Sequence, residues 1–212
     1  MGGNMPVDPQ GQRPFWESAY ASEDDQIETF GPPNPELVDL LRDLPAGGRV
    51  LDAGCGEGRL ALFFARHGFE VVAFDASAHG IAKLNRLATK ENLPVRAFVQ
   101  DLREYQPHET FDLVVADGVL HLVEKPHADR TIREWQAATK PGGWNLIKWF
   151  TTRVAPPPDL VPFHIGLREE GELAALYEGW DFRLNQSFLL HDEHPGGIRH
   201  CHPINKILAR KP

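Results

Sequence analysis

The chain has 212 residues, 42% hydrophobic and 25% charged, which suits one well-cored α/β domain and leaves little room for a second. Its formal net charge is −8 and it carries no dense Lys/Arg run, so a surface that tracks nucleic-acid phosphates is not expected. Its two cysteines, Cys55 and Cys201, cannot build a disulfide framework; with no basic-then-apolar leader and no bilayer-length apolar run, a cytoplasmic protein away from membranes is expected.

Residues 1–14, "MGGNMPVDPQGQRP", are rich in Gly, Pro and polar side chains and are expected to form a disordered arm. Order is expected to begin at "FWESAY", with residues 15–212 forming a single domain. In "NPELVDLLRDLPAGG", Asn34 reads as a helix N-cap and Pro35 as the first helical residue, with Leu37, Leu40, Leu41 and Leu44 on one apolar face. Strands and helices then alternate. "RVLDA", "EVVAFD", "VRAFVQD", "FDLVVAD" and "WNLIKWF" read as strands; "GRLALFFARHG" (closed by Gly68), the helix capped by Ser77, and "HADRTIREWQAATKPGG" (ending at a Pro-Gly-Gly turn) read as helices. This order implies a Rossmann-like, doubly wound sheet that is mainly parallel. Beyond it, residues 151–167 form a proline-rich loop long enough to be a lid, "LREEGELAALYEGW" reads as a helix, and the C-terminus as a β-hairpin around Pro195-Gly196-Gly197.

The glycine run Gly54-Cys55-Gly56-Glu57-Gly58 is G-x-G-x-G rather than the G-x-G-x-x-G of a pyrophosphate site. Asp52 and Glu57 beside it would repel a phosphate but suit a ligand bearing an ammonium group. S-adenosylmethionine (SAM) has an ammonium and a sulfonium and no phosphate. Asp75, ending the second strand, is placed for the ribose hydroxyls; Asp101, ending the third, for the adenine amino group, with Leu102 packing on the ring. Any one strand-end acid could merely cap a turn. Three in register with the glycines point to the nucleoside.

"VLDAGCGEGR", "VVAFDAS", "VQDL", "FDLVVADGVLHLV" and "KPGGW" resemble the class I SAM-dependent methyltransferases. The resemblance implies a seven-stranded sheet with an antiparallel last strand. It carries cofactor contacts onto Asp52, Gly54, Cys55, Gly56, Gly58, Arg59, Asp75, Ala76, Asp101 and Leu102, and places Asp117, Gly118 and Val119 beside the methionine moiety. A narrower resemblance, to the tellurite-resistance (TehB-like) methyltransferases, rests on "KPGGWNLI", "VPFHIGLREEGELAALYEGW", His191 with Arg199, "ILARKP", and "WESAY…TFGPPNPEL". It implies that residues 15–45 are an N-terminal cover in which Trp16, Tyr20 and Phe30 close over the donor; Trp149 and Phe163 are further candidate walls.

In that family the hairpin's histidine and arginines face the methyl acceptor, which makes His191 and Arg199 the catalytic candidates: an imidazole to remove a proton and a guanidinium to hold the anion. The family's next arginine is Asp192 here. That exchange weakens the case for an oxyanion such as tellurite and favours a neutral or cationic acceptor, or a thiol, unless Lys148, Arg153 or Arg168 supplies charge. The expected activity is methyl transfer to a small soft nucleophile (a metalloid or chalcogen oxyanion, a thiol or a halide) by a monomer or weak homodimer. Alternatives are an O- or N-methyltransferase of small metabolites and a non-catalytic SAM- or metal-binding protein. The metal reading of His191, His194, His200, Cys201 and His202 is disfavoured: no C-x-x-C pair is present, and strand alternation puts His200 and His202 on one face without Cys201. Cys55 reads as a small packing residue.

Overall fold

From Arg49 onward, strands buried on both faces alternate with one-sided apolar helices, and the chain winds them into one sheet. The structure, a computed structural model, describes residues 14–22, 24–27, 29–194 and 198–212, with the backbone alone at 15, 192–194 and 198. Residues 1–13 of the expected arm and the hairpin turn at 195–197 lie outside the described residues.

Helices α1 (Phe15–Tyr20) and α2 (Pro35–Leu40) precede β1 (Arg49–Ala53), α3 (Arg59–Arg66), β2 (Glu70–Asp75), α4 (Ala78–Lys90) and β3 (Val95–Val99). Then come β4 (Phe111–Asp117), α5 (Lys125–Ala138), β5 (Thr139–Phe150), α6 (Glu172–Ala175), β6 (Asp181–His194) and β7 (Ile198–Arg210). The seven-stranded sheet has the order β3-β2-β1-β4-β5-β7-β6. Strands β3 to β5 pair in parallel, and β7 runs antiparallel to both its neighbours. One face packs on α2, α3 and α4 through Leu37, Leu40, Phe64 and Leu84; the other packs on α5 through Ile132 and Trp135. No helix among the described residues is long and apolar enough to cross a membrane.

Three local expectations change. The Pro-Gly-Gly turn after α5 is absorbed into β5, whose ladder with β4 shifts register between Phe111 and Leu113. Lys211 Nζ closes the helix end instead, donating to the carbonyls of Gln136 and Thr139 at 2.7 Å each. The expected helix after the lid shortens to α6, bracketed by left-handed Gly171 and Gly179, and Tyr177 leaves it to bond Asn145 Oδ1 at 3.0 Å. Asn34 precedes α2 as expected, but its amide donates to Asp117 (3.3 Å) rather than capping the helix.

The β5–β7 ladder ends at Phe150↔Ile204, whereas β6–β7 pairing continues to His194↔Ile198. The end of the hairpin therefore overhangs the carboxyl edge of the sheet.

Candidate active site

At that edge the chain after β1 turns sharply. Gly54 and Cys55 both donate to the Phe74 carbonyl, at 2.9 and 3.0 Å. Gly54 has φ +70°, and a Cβ there would lie 2.5 Å from Val119 Cγ2; Gly56 has φ +54°, and a Cβ there would lie 2.4 Å from the Tyr20 hydroxyl. The loop is thus wedged between Val119 and the ring of Tyr20, and only glycine fits. Gly58, also left-handed, starts α3 and packs on Leu84.

A cavity of about 1500 Å³, counting its open mouth, lies over this loop. It is lined by Trp16, Tyr20, Asp52, Gly54, Cys55, Gly56, Arg59, Asp75, Ala76, Asp101, Leu102, Asp117, Gly118 and Val119, and also by Phe30 and Phe163. Of the expected cofactor residues, Gly58 alone lies behind the lining. Trp149 does not reach the cavity: it is fully buried core, donating to the Gly166 carbonyl (2.8 Å) with Arg168 stacked on its ring at 4.3 Å. Arg168 is also paired with Asp129, and the exposed Arg153 with Glu170.

The carboxylates sit in distinct environments. Asp75 accepts from the Gly56 and Ser77 amides at 2.9 and 2.8 Å, yet burial keeps its pKa above the usual carboxylate range. Asp101 accepts from the Arg103 amide at 2.8 Å and its guanidinium at 3.1 Å. Asp52 is 2% exposed, and its Oδ2 has no hydrogen-bond partner among the described residues. Burial pushes its pKa up to about 7 against the opposing pull of Arg59. A ligand cation placed there would satisfy this oxygen. For Asp117, burial alone would raise the pKa; Lys148 (2.6 Å) and Arg59 outweigh it and hold it low. Burial likewise pushes the Cys55 thiol far up, so it is a packing group rather than a nucleophile. These groups suit an adenosyl ligand carrying an ammonium.

The opposite end of the cavity is built from imidazoles and apolar rings. His121, His164 and His202 line it with Phe150, Phe163, Leu160 and Leu190. Phe150 lies between them: its ring centre is 4.2 Å from His121, 5.3 Å from His164 and 5.1 Å from His202. The loop at 151–167 delivers His164 because the amides of Ile165 and Gly166 donate to the His121 carbonyl, at 3.0 and 2.9 Å. Burial first, and then the neighbouring imidazoles, hold His121 well below its usual pKa and bring His164 to about 4.

The structure does not bring His191 and Arg199 to this cavity. In the β6–β7 ladder His191 pairs with Cys201, and Leu190 pairs with His202. Successive residues of a strand point to opposite faces, so with Leu190 and His202 lining the cavity His191 and Arg199 fall on the other, exposed face. The Asp192 side chain lies outside the described residues. Sequence reasoning passed over His121 and His164, each a lone histidine in an apolar run with no spacing signal. It held His202 only as a doubtful metal ligand. Among the described residues no group of three or more His, Cys, Asp and Glu is arranged to hold a metal ion.

Comparison with known proteins identifies the family. Residues 33–195 match the profile of the family described as "Tellurite resistance protein TehB". The chain belongs to the TehB family. It is 32% identical over 166 residues to the "Probable S-adenosyl-L-methionine-dependent methyltransferase TehB" of Haemophilus influenzae, covering 77% of this chain and 57% of that protein. Identity is also 32% over 173 residues with "Hemagglutinin 1" of Eikenella corrodens, covering 77% of this chain and 55% of that one. The chain therefore spans a little over half the length of these curated relatives. The crystal structure of TehB from Haemophilus influenzae superposes with a TM-score of 0.77 at 26% identity, over 93% of this chain and 67% of that one.

Proposed function

We propose that this chain moves a methyl group from SAM to a small, neutral, soft acceptor, a thiol foremost. The donor, when bound, supplies an electrophilic methyl on a sulfonium. Asp52 would take the ammonium, Asp75 the ribose hydroxyls and Asp101 the adenine amino group, while Gly118 and Val119 border the methionine arm. Because in-line displacement needs alignment more than bond chemistry from the protein, the remaining parts have positioning and drying roles. Residues 15–45 act as a cover, through Trp16, Tyr20 and Phe30. Residues 151–167 act as a lid, through Leu160, Phe163 and His164.

The observation that carries the choice of acceptor is charge. Among the described residues, the basic side chains lining the cavity are Arg59, Arg103 and Lys148. Arg59 and Lys148 are both paired with Asp117, and Arg103 with Asp101 and Glu124. Of the imidazoles there, His121 and His164 are held neutral, chiefly by burial. An oxyanion entering here would have to break an existing ion pair, whereas a thiol meets apolar rings and neutral nitrogens. Supplying labelled SAM with thiols, iodide, selenite, tellurite and small amines tests the reading. Thiols should be turned over with kcat/KM at least about tenfold above either oxyanion. Preference for tellurite or selenite would overturn it.

A further inference from the structure

Methylating a thiol releases a proton, and the imidazole end of the cavity is walled by apolar rings. The S–H bond must break, its proton must find a base, and the sulfur pair then forms the new S–C bond as the donor's C–S bond gives its electrons to the departing sulfur. Among the described residues, four imidazoles form a connected series that starts in the cavity. His121 and His164 have ring centres 4.9 Å apart, His164 and His202 6.2 Å, and His202 and His200 5.5 Å. The series ends where His200 Nε2 meets Asp159 Oδ1 at 3.2 Å; His200 is buried, and the Asp159 side chain is 40% exposed. At these ring-centre spacings a bridging water between neighbouring imidazoles would carry a proton from one to the next.

We propose that His121 and His164 take the acceptor's proton and that His202 and His200 pass it to Asp159, which hands it to solvent. The inference rests on the reading that the acceptor arrives protonated. Three observations support it beyond the spacing. The Nδ1 atoms of His121 and His164 are buried without a hydrogen-bond partner among the described residues, so an acceptor's S–H completes them. The rings are held in place by Phe150, near-parallel to His202 at 16° and tilted 31° to His121. The surrounding charges also suit a carrier rather than a store. Lys148 faces His121 and opposes its protonation; Asp159 draws a proton toward the outer end, near His164 and His200. Asp192 is the register partner of His200 in the ladder. The imidazoles thus follow one another around Phe150 toward Asp159, each neighbour near enough to hand a proton on.

His200 and Asp159 lie outside the cavity lining, so His200→Gln and Asp159→Asn test the relay without touching donor or acceptor. The exposed Asp159 makes its variant safe for folding if His200→Gln is not. Turnover should be compared for an aliphatic thiol and for 4-nitrothiophenol, which is already ionised at neutral pH. Each variant should slow the aliphatic thiol by about tenfold or more, leave the ionised thiol and the SAM KM within about twofold, and regain rate on adding imidazole to the buffer. Equal slowing of both thiols, or no slowing of the aliphatic one, overturns the relay while leaving the acceptor reading intact. If the unaltered protein methylates no thiol at all, the acceptor reading falls and the relay falls with it.

Discussion

Asp52 holds a proton in the folded protein that the unfolded chain has given up, because burial lifts its pKa from 3.8 to about 7. The sign follows from proton counting: between about pH 4 and 7 the native state binds more protons, so stability falls as pH rises through that window and stays low above it. Asp52→Asn should therefore raise the stability of the ligand-free protein at pH 8 by on the order of 1–3 kcal/mol, read from denaturant midpoints. The ligand ammonium selects the ionised form, so SAM affinity should increase between pH 6 and 8, and calorimetry at pH 6.5 should show proton release on binding. Affinity that is flat with pH would remove Asp52 from the ammonium site. At the acceptor end, His202→Ala should cost about 10²-fold in turnover, the scale of a positioned proton carrier, and His191→Ala almost nothing. The reverse ranking would place the acceptor on the outer face of the hairpin. The carboxylates were legible in the sequence because each ends an apolar strand of the same sheet edge. The imidazoles were not: they come from the segment after β4, the lid and β7, and only the topology gathers them. Strand parity put His200 and His202 on one face, but which face meets the cavity depends on β7 lying between β5 and β6, which no local pattern states.

Among the elements, the N-terminal segment is tied down by a buried ion pair. Lys83 on α4 and Glu57 in the glycine loop meet at 2.7 Å, each side chain 3% exposed. Lys83 also donates to the Gln26 carbonyl (2.7 Å), and Glu57 accepts from the Thr29 amide (3.2 Å). Lys83→Met leaves Glu57 buried and unpaired, so it should destabilise the protein by about 3–5 kcal/mol, and the added Glu57→Gln should recover part of that loss. Chemical denaturation of the single and double variants checks this; an additive double variant would mean that the two side chains do not communicate. The lid depends on Gly166, where a Cβ would lie 2.0 Å from the Val123 carbonyl oxygen, a backbone atom that cannot swing aside. Gly166→Ala should displace His164 and lower turnover by at least about tenfold while SAM affinity holds. Loss of both together would make the loop part of the donor site instead. The alternating elements were readable from period and punctuation. The start of β5 and the shortness of α6 were not, because Lys211 and Tyr177 decide them from far along the chain.

At the scale of the molecule, the hairpin is not an appendage. Strand β7 pairs with β5 from Trp144↔Arg210 to Phe150↔Ile204, and its Ile207, Leu208 and Ala209 are buried in the two cores that also cover β1 and β4. The cavity is shared in the same way, with walls from α1, β1, β2, β4, β5 and β7. Breaking any one of these contacts exposes apolar surface on several elements at once, so unfolding should be a single cooperative transition. Far-ultraviolet ellipticity and tryptophan fluorescence should give the same midpoint, since Trp135 and Trp149 sit in one core layer and Trp144 in the other. S-adenosylhomocysteine at about 100 times its Kd should add about 2.7 kcal/mol by mass action, a rise in Tm of roughly 5–10 °C for a chain of this size. Both probes should move together, because a ligand in the proposed site would touch strands on both sides of the β1–β4 crevice. Two separated midpoints, with the ligand shifting only one, would show that the hairpin unfolds apart from the nucleoside half and that the chain holds two cooperative units rather than one.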